Sequence, residues 1–413
     1  MGSMLPNGDV MEDKMGSSLA HYSRLSDGNG KTGTCEEKQK PVTWLRIWQV
    51  VLGTVIFCLT VSAVPLYSKL VFEGGSQPRF PYPLATAVLQ LGFTAIILTI
   101  ISIVRHLLSP PCPPDQTTAA DACQQQPSAP SWCLGPHMMY KISYTAPVGV
   151  MFGVKFAVTN WGLLTVPAPT HLLLQSTDLV WTLLFARLVN GERLNKLESV
   201  GAWLSSFGAI IISFDASMAA AVPFFPLLVN MLTPIALALT VTFLRKGVKE
   251  LMNPKNRIGG MTAIEFTAWK ISFSAVTALC LSLFLESGTV TLSRHGLLQP
   301  DSKPAWWVAL QQYPWDGVQL LLVDSFCLLL FQVNLTWLTS LTSAVTVGII
   351  AEIKVIPQWL INSVFGLPVH LTTANIVGSV IMLSASGVYG FSSFNKVVKL
   401  VKRCPSSCPG QLP

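Results

Sequence analysis

Lys69, Lys155, Lys270 and Lys354 fall inside apolar runs, and so do Asp178, Asp324 and Glu352. An ionisable group in hydrocarbon costs about 2.5–3.5 kcal/mol on insertion scales unless it meets a partner or a cavity. Lys354 sits mid-run and reads as a ligand contact. Lys69 and Lys270 sit near run ends, where an interhelical salt bridge or snorkelling to the interface competes with a ligand role. Helical spacing puts Lys155 and Thr159 on one face and Gln175 and Asp178 on another, with Asn160 beside Thr159. Glu352 and Lys354 are two residues apart and point to nearly opposite sides, so they do not pair within one helix. Asp178 could pair with Lys155 and Asp324 with Lys354, or the reverse. Otherwise Glu352, Asp178 and Asp324 are carboxylates that carry a proton through a cycle. Glu265 and Lys270 are close enough in sequence to pair loosely. No Gly-rich phosphate loop, no Ser/His/Asp arrangement and no metal-ligand spacing occurs, and the six histidines are scattered. The expected protein is no enzyme and carries no cofactor.

These residues need a scaffold, and the composition indicates a membrane. Hydrophobic residues make up 51% of the chain, charged residues 11%, and the mean hydropathy is +0.51. About a quarter of a soluble chain is charged. Runs of about 20 apolar residues suit membrane spans, and the sequence predicts ten of them, at 46–70, 82–107, 143–165, 167–189, 197–216, 222–244, 262–286, 318–339, 344–366 and 373–393. Pro147, Pro234 and Pro357 lie inside spans, where neighbouring helices can satisfy the freed backbone groups. With the amino terminus in the cytosol, most of the 27 lysines and arginines fall on that side. Only Arg79, Arg294 and Lys303 face the other, and Lys69, Lys155, Lys270 and Lys354 lie within spans. The positive-inside rule then places both termini in the cytosol. The net charge of +7 is accounted for by topology, without nucleic acid.

Residues 1–44 form a polar tail whose acidic residues, Asp9 to Glu37, argue against organelle import. The 108–136 loop, with Pro110-Pro111 and Gln124 to Gln126, reads as disordered, and 396–413 as a second cytosolic tail. Cysteines in a reducing compartment are not expected to form disulfides. The sequon at Asn334 falls inside a span and reads as unused. Trp306, Trp307, Tyr313 and Trp315 suggest an interfacial cap within the 287–317 segment.

Spans four and five resemble spans nine and ten. Each pair has a short linker bearing Gly191 or Gly366, then Val200-Gly201 or Val377-Gly378, then a closing Phe. The expected fold is an all-α membrane protein of ten transmembrane helices. They would form two inverted five-helix repeats, 45–216 and 217–395, with the substrate site at their interface near the midplane.

Several motifs occur in order: Tyr67-Ser68-Lys69, Phe80-Pro81-Tyr82-Pro83-Leu84, Thr159-Asn160-Trp161, Gly191-Glu192, Asn253-Pro254 and Leu341-Thr342-Ser343 with Lys354. In this order the chain resembles the nucleotide-sugar and triose-phosphate translocator family of the drug/metabolite transporter superfamily, over roughly 45–395. That resemblance implies exchange of a nucleotide sugar or sugar phosphate for a nucleotide monophosphate or phosphate. It implies a substrate contact at Lys354, which matches a clamp lysine. Gln175 stands at a second clamp lysine, Val355 at the clamp arginine, Phe156 at a histidine and Phe331 at a tyrosine. Of a Gly-Ala-Leu-Asn-Lys motif found in some nucleotide-sugar members, the stretch Ile349 to Lys354 keeps the alanine and the lysine. The expected substrate-binding set is Lys354, Gln175, Thr159, Lys155, Asp178, Asn160, Phe331 and Lys69.

The reading is thus a secondary transporter, an antiporter of nucleotide sugar and nucleotide monophosphate in a Golgi or endoplasmic-reticulum membrane. Its partners are a small anionic substrate and the bilayer, and a homodimer stays open. A proton-coupled carrier of another organic solute or sugar phosphate is the alternative within the class. A receptor or scaffold that kept the fold is the alternative outside it.

Overall fold

A backbone that crosses lipid must satisfy its own N–H and C=O groups, which commits each apolar run to helix. In the computed structural model the first seven runs are α1 Trp44–Glu73, α2 Pro83–Leu108, α3 Met138–Thr165, α4 Asp178–Asn190, α5 Lys196–Ser217, α6 Phe224–Leu251 and α7 Ala263–Leu285. A two-residue antiparallel pair follows, β1 Thr291–Leu292 with β2 Leu298–Gln299. Then come α8 Trp306–Gln311, α9 Trp315–Leu341, α10 Ala344–Ile353 and α11 Thr373–Arg403. The structure describes residues 44–73, 80–108, 138–165, 171, 174–175, 177–192, 194–217, 224–253, 261–286, 291–292, 298–299, 304–353 and 373–403, all within the unit Thr43–Pro413. The predicted disordered tail up to residue 43, the loop from 109 and the tail beyond 403 lie outside the described residues.

Among the described residues six helices, α1, α2, α3, α6, α7 and α9, are long and apolar enough to cross a bilayer. The chain is a helical, multi-pass membrane protein. Ile96, Leu107, Phe224, Phe284 and Phe391 stand exposed on the outside of the bundle, an apolar surface that belongs against lipid rather than water. Three helices run well past their predicted ends, and the longest overrun is that of α11, which continues to Arg403 rather than stopping at 393. α3 starts at Met138 rather than 143, and α6 reaches Leu251 rather than 244. The extensions of α3 and α6 carry Lys141 and Arg245, Lys246 and Lys249, which a hydropathy pattern rejects. A helix can carry them where its end leaves the hydrocarbon. Arg245 there donates from Nη1 to the Thr339 carbonyl at 2.8 Å. The sequon residue Asn334 is buried within α9, donating to the Gly53 carbonyl at 2.7 Å.

The packing has a pattern. α5 lies along α11, α2 along α7, and α4 against α10. α3 packs on α6 and α7, while α9 packs on α1 and α2. Small residues set the close approaches, the nearest backbone one where a Cβ at Gly149 of α3 would sit 2.5 Å from the Lys270 carbonyl of α7. A Cβ at Gly208 would sit 2.7 Å from the Gly378 carbonyl, and one at Gly201 3.0 Å from that of Ala385. Gly201 and Gly378, which the repeat aligns in sequence, therefore sit in one contact, α5 on α11. The main core fills the bundle with Phe57, Leu91, Phe152, Leu179, Phe266 and Leu335. A second cluster, of Val71, Phe72, Phe80, Tyr82 and Leu321, joins Trp306 and Tyr313 at one end. There the Tyr82 hydroxyl donates to the Pro304 carbonyl at 2.8 Å.

Carboxylates finish two helix starts. The first backbone donors of a helix have no partner within it. At α2, Glu286, just past the end of α7, accepts from Leu84 N at 3.0 Å and from Ala85 N at 2.7 Å. At α10, Ser343 Oγ accepts from Thr346 N at 3.1 Å. Glu192 there is held by the backbone N–H groups of Ala344 and Val345. Gly191, at φ 63°, takes the left-handed turn that ends α4 and carries the chain into Glu192. Glu265 pairs with Lys141 at 3.0 Å, so the expected loose pair with Lys270 does not form. Glu265 lies in the first turn of α7, where Lys141 at the start of α3 reaches it; Lys270 points instead into the packed centre.

Candidate functional site

A small chamber opens among α1, α3, α9 and Gln175, lined chiefly by Lys155, Phe156, Thr159, Asn160, Ser68 and Phe331. Its cavity volume is about 40 Å³, room for roughly three waters at ~10–15 Å³ each. The α3 sequence accounts for the wall. Phe152, Phe156, Thr159 and Leu163 recur at helical spacing, and Lys155 and Asn160 flank that stripe. The Lys155 ammonium stands 5.9 Å from the ring centroids of both Phe152 and Phe156, within cation–π range. The Thr159 hydroxyl is buried with no hydrogen-bond partner among the described residues. Phe331 packs on Phe57, centroids 5.4 Å apart.

Two polar networks stand behind this wall. In one, Ser68 Oγ donates to Asp324 Oδ2 at 2.9 Å, and Gln90 Nε2 donates to the same oxygen. Asn160 Nδ2 donates to Gln90 Oε1 at 3.3 Å, which ties the network back to the chamber. Asp324 is fully buried, and its Oδ1 has no hydrogen-bond partner among the described residues. In the other, Gln175 Nε2 meets His171 Nε2 at 2.8 Å, and His171 Nδ1 meets Asn230 Oδ1 at 3.0 Å. An amide nitrogen can only donate, so as the amides are placed His171 accepts at Nε2 and donates from Nδ1. Asn230 Nδ2 closes the chain on the Pro226 carbonyl at 3.1 Å. Gly162 makes room for it: a Cβ there would come 2.0 Å from Asn230 Oδ1.

The chamber brings together five residues of the expected substrate-binding set, Lys155, Thr159, Asn160, Gln175 and Phe331, and with them Phe156. Asp178 opens α4, buried, and does not line it. Asp324 sits behind the chamber with Gln90 rather than on it, bonded by Ser68 of the chamber wall. Lys354 and Val355 lie outside the described residues, as do the side chains of Lys69 and Glu352. Sequence reasoning missed Gln90, His171 and Asn230. Gln90 and Asn230 each interrupt a strongly apolar run, and an amide in such a run needs a partner. That was the available signal. His171 stood at a run's edge and gave none. Among the described residues no three His, Cys, Asp or Glu side chains gather as a metal site would require.

No protein-family model matches the chain, and no curated protein matches it in sequence. Solved structures do. One, described only as the crystal structure of a protein, aligns over 83% of this chain and 99% of its own, with a TM-score of 0.50 and 14% identity. At that identity the likeness concerns the fold alone.

Proposed function

We propose that the chain is a secondary transporter of an anionic organic solute. The specific reading is an antiporter exchanging a nucleotide sugar for a nucleotide monophosphate across a Golgi or endoplasmic-reticulum membrane, with both termini cytosolic. The observation that carries it is the chamber inside the bundle. It holds an ammonium, an unpartnered buried hydroxyl and two amides, with aromatic faces beside them. A few convergent polar groups in an otherwise apolar cavity suit a small ligand.

The packing supports a two-repeat architecture of ten helices. Let α1 to α5 correspond to α6, α7, α9, α10 and α11. The contact of α3 with α6 then maps onto that of α9 with α1, and α3 with α7 onto α9 with α2. The pairs α2–α7, α4–α10 and α5–α11 map onto themselves. An inverted repeat predicts such pairs, and it puts the site between the halves. The chamber is too small for a nucleotide sugar in this conformation, so the halves must part to admit one.

Counterflow into liposomes holding purified protein, against a panel of nucleotide sugars, sugar phosphates and nucleotide monophosphates, tests the reading. Uptake of a nucleotide sugar that requires a nucleotide monophosphate inside is expected, with loss in Lys155→Ala. No uptake of any anion overturns it. A second reading, proton coupling, is favoured by Asp324, because a buried carboxylate oxygen without a partner is costly when charged. Uptake driven by a pH gradient with no exchange partner, and abolished in Asp324→Asn, would select it.

A further inference from the structure

Lys270 has no part in the chamber, yet it is fully buried on α7. Its Nζ donates to Thr336 Oγ1 at 3.1 Å. That hydroxyl also accepts from Thr267 Oγ1 at 2.8 Å and donates to the Gln332 carbonyl at 3.0 Å, so it can take little more. An ammonium has three donors. Among the described residues no carboxylate pairs with this one. Glu265 is engaged by Lys141, and Asp324 lies ~18 Å away along α9 at 1.5 Å per residue.

One turn along α9 from Thr336, on the same face, Gln332 is also fully buried. Neither of its amide atoms has a hydrogen-bond partner among the described residues. An uncompensated buried ammonium and an unpartnered buried amide each destabilise a fold. Together on facing helices they mark a place for a polar guest.

The place adjoins the chamber. The Lys270 and Lys155 ammonium groups each lie 5.9 Å from the Phe152 ring centroid. The two Nζ atoms are therefore no farther apart than twice that distance. Phe152 in turn stacks on Phe156 of the chamber wall, centroids 5.7 Å apart. Two cations set around one aromatic ring suit two linked phosphates better than one.

We propose that Lys270, Gln332 and Thr336 form an anion subsite beside the chamber, taking one phosphate of a diphosphate whose other phosphate lies by Lys155. This rests on the transport reading and narrows its substrate class to diphosphates. Lys270 becomes reachable when the bundle widens around Phe152 to admit the ligand.

The test uses the purified full chain in detergent, with thermal shift titrated by inorganic pyrophosphate and by inorganic phosphate. Lys270→Met keeps the stem and removes the charge. The expected result is pyrophosphate affinity weakened about tenfold or more and phosphate affinity changed much less. The ligand-free melting temperature should hold or rise, because a buried unpaired charge has gone. Lys270→Gln serves the same purpose if the methionine variant does not fold. Pyrophosphate binding equal to wild type overturns the subsite and leaves the transport reading standing. Weaker binding together with a lower ligand-free melting temperature also overturns it, as a purely structural lysine would behave that way. Wild-type protein indifferent to both anions overturns it too, while the counterflow assay decides the transport reading separately.

Discussion

The starts of α2 and α10 are finished by the same device in different surroundings. Each takes a carboxylate from just beyond the end of another helix, Glu286 after α7 and Glu192 after α4. Under the proposed repeat, α2 and α7 are counterparts, and so are α4 and α10. Around Glu286 the end is sealed: the residue is 9% exposed, and just before the helix start it caps, Phe80 packs ring against ring with Tyr82 and Tyr313 in tilted contacts. Around Glu192 the end is half-open, with Arg245 and Lys249 supplying positive charge. A carboxylate that bridges two helices holds them together most strongly where water cannot replace it. The Glu286 end is therefore the tighter closure, and under the proposed transport cycle the Glu192 end would be the one to part first.

The largest effect is expected at the tight end. Glu286→Ala strands the Leu84 and Ala85 amides in a buried place and should cost about 3 kcal/mol, read as a lower midpoint of thermal unfolding in detergent. Unchanged stability would mean that water replaces the carboxylate and that the end is not sealed. Access should change in parallel. With a reporter cysteine at Leu328 in a cysteine-free background, Glu286→Ala should speed labelling by an impermeant maleimide from one face of oriented vesicles. Glu192→Ala should speed it from the other. Acceleration from the same face in both variants would break the comparison.

At the looser end Glu192→Ala should cost only about 1 kcal/mol, the scale of a lost helix cap. A loss equal to that of Glu286→Ala would erase the contrast. The smallest effect is one of pH. Burial pushes the Glu192 carboxyl above its ordinary range, against the pull of the Ala344 and Val345 amides and of Arg245. The folded state thus favours the protonated form, and the stability this gives fades as pH rises through the folded-state value. Glu192→Gln should then raise the unfolding midpoint slightly near neutrality, and the gain should vanish in acid. A gain that grows in acid would show a group held below its ordinary range.

Much of the scaffold was legible in the chain because lipid leaves an apolar run few choices. The runs at 82–107, 197–216 and 262–286 became α2, α5 and α7 within a residue or two. Where charged residues begin, as at Lys141 and Arg245, the pattern stopped short of the helix. Within α3, Lys155, Thr159 and Asn160 could be placed together because one helix positions all of them. Partners across helices could not be placed so. Glu265 and Lys270 sit close in sequence yet point to different neighbours, and Asp324 meets Ser68 and Gln90 from two other helices.

What the sequence determined by itself is therefore the membrane solvent, the helices and the polar face of α3, since each follows from hydropathy and helical period along one segment. Tertiary structure alone decided which buried groups are paired. Ser68 and Gln90 take Asp324, Lys141 takes Glu265, and among the described residues Lys270 keeps a single hydroxyl and a ring. Those outcomes depend on crossing and rotation between helices far apart in the chain, which no local period encodes.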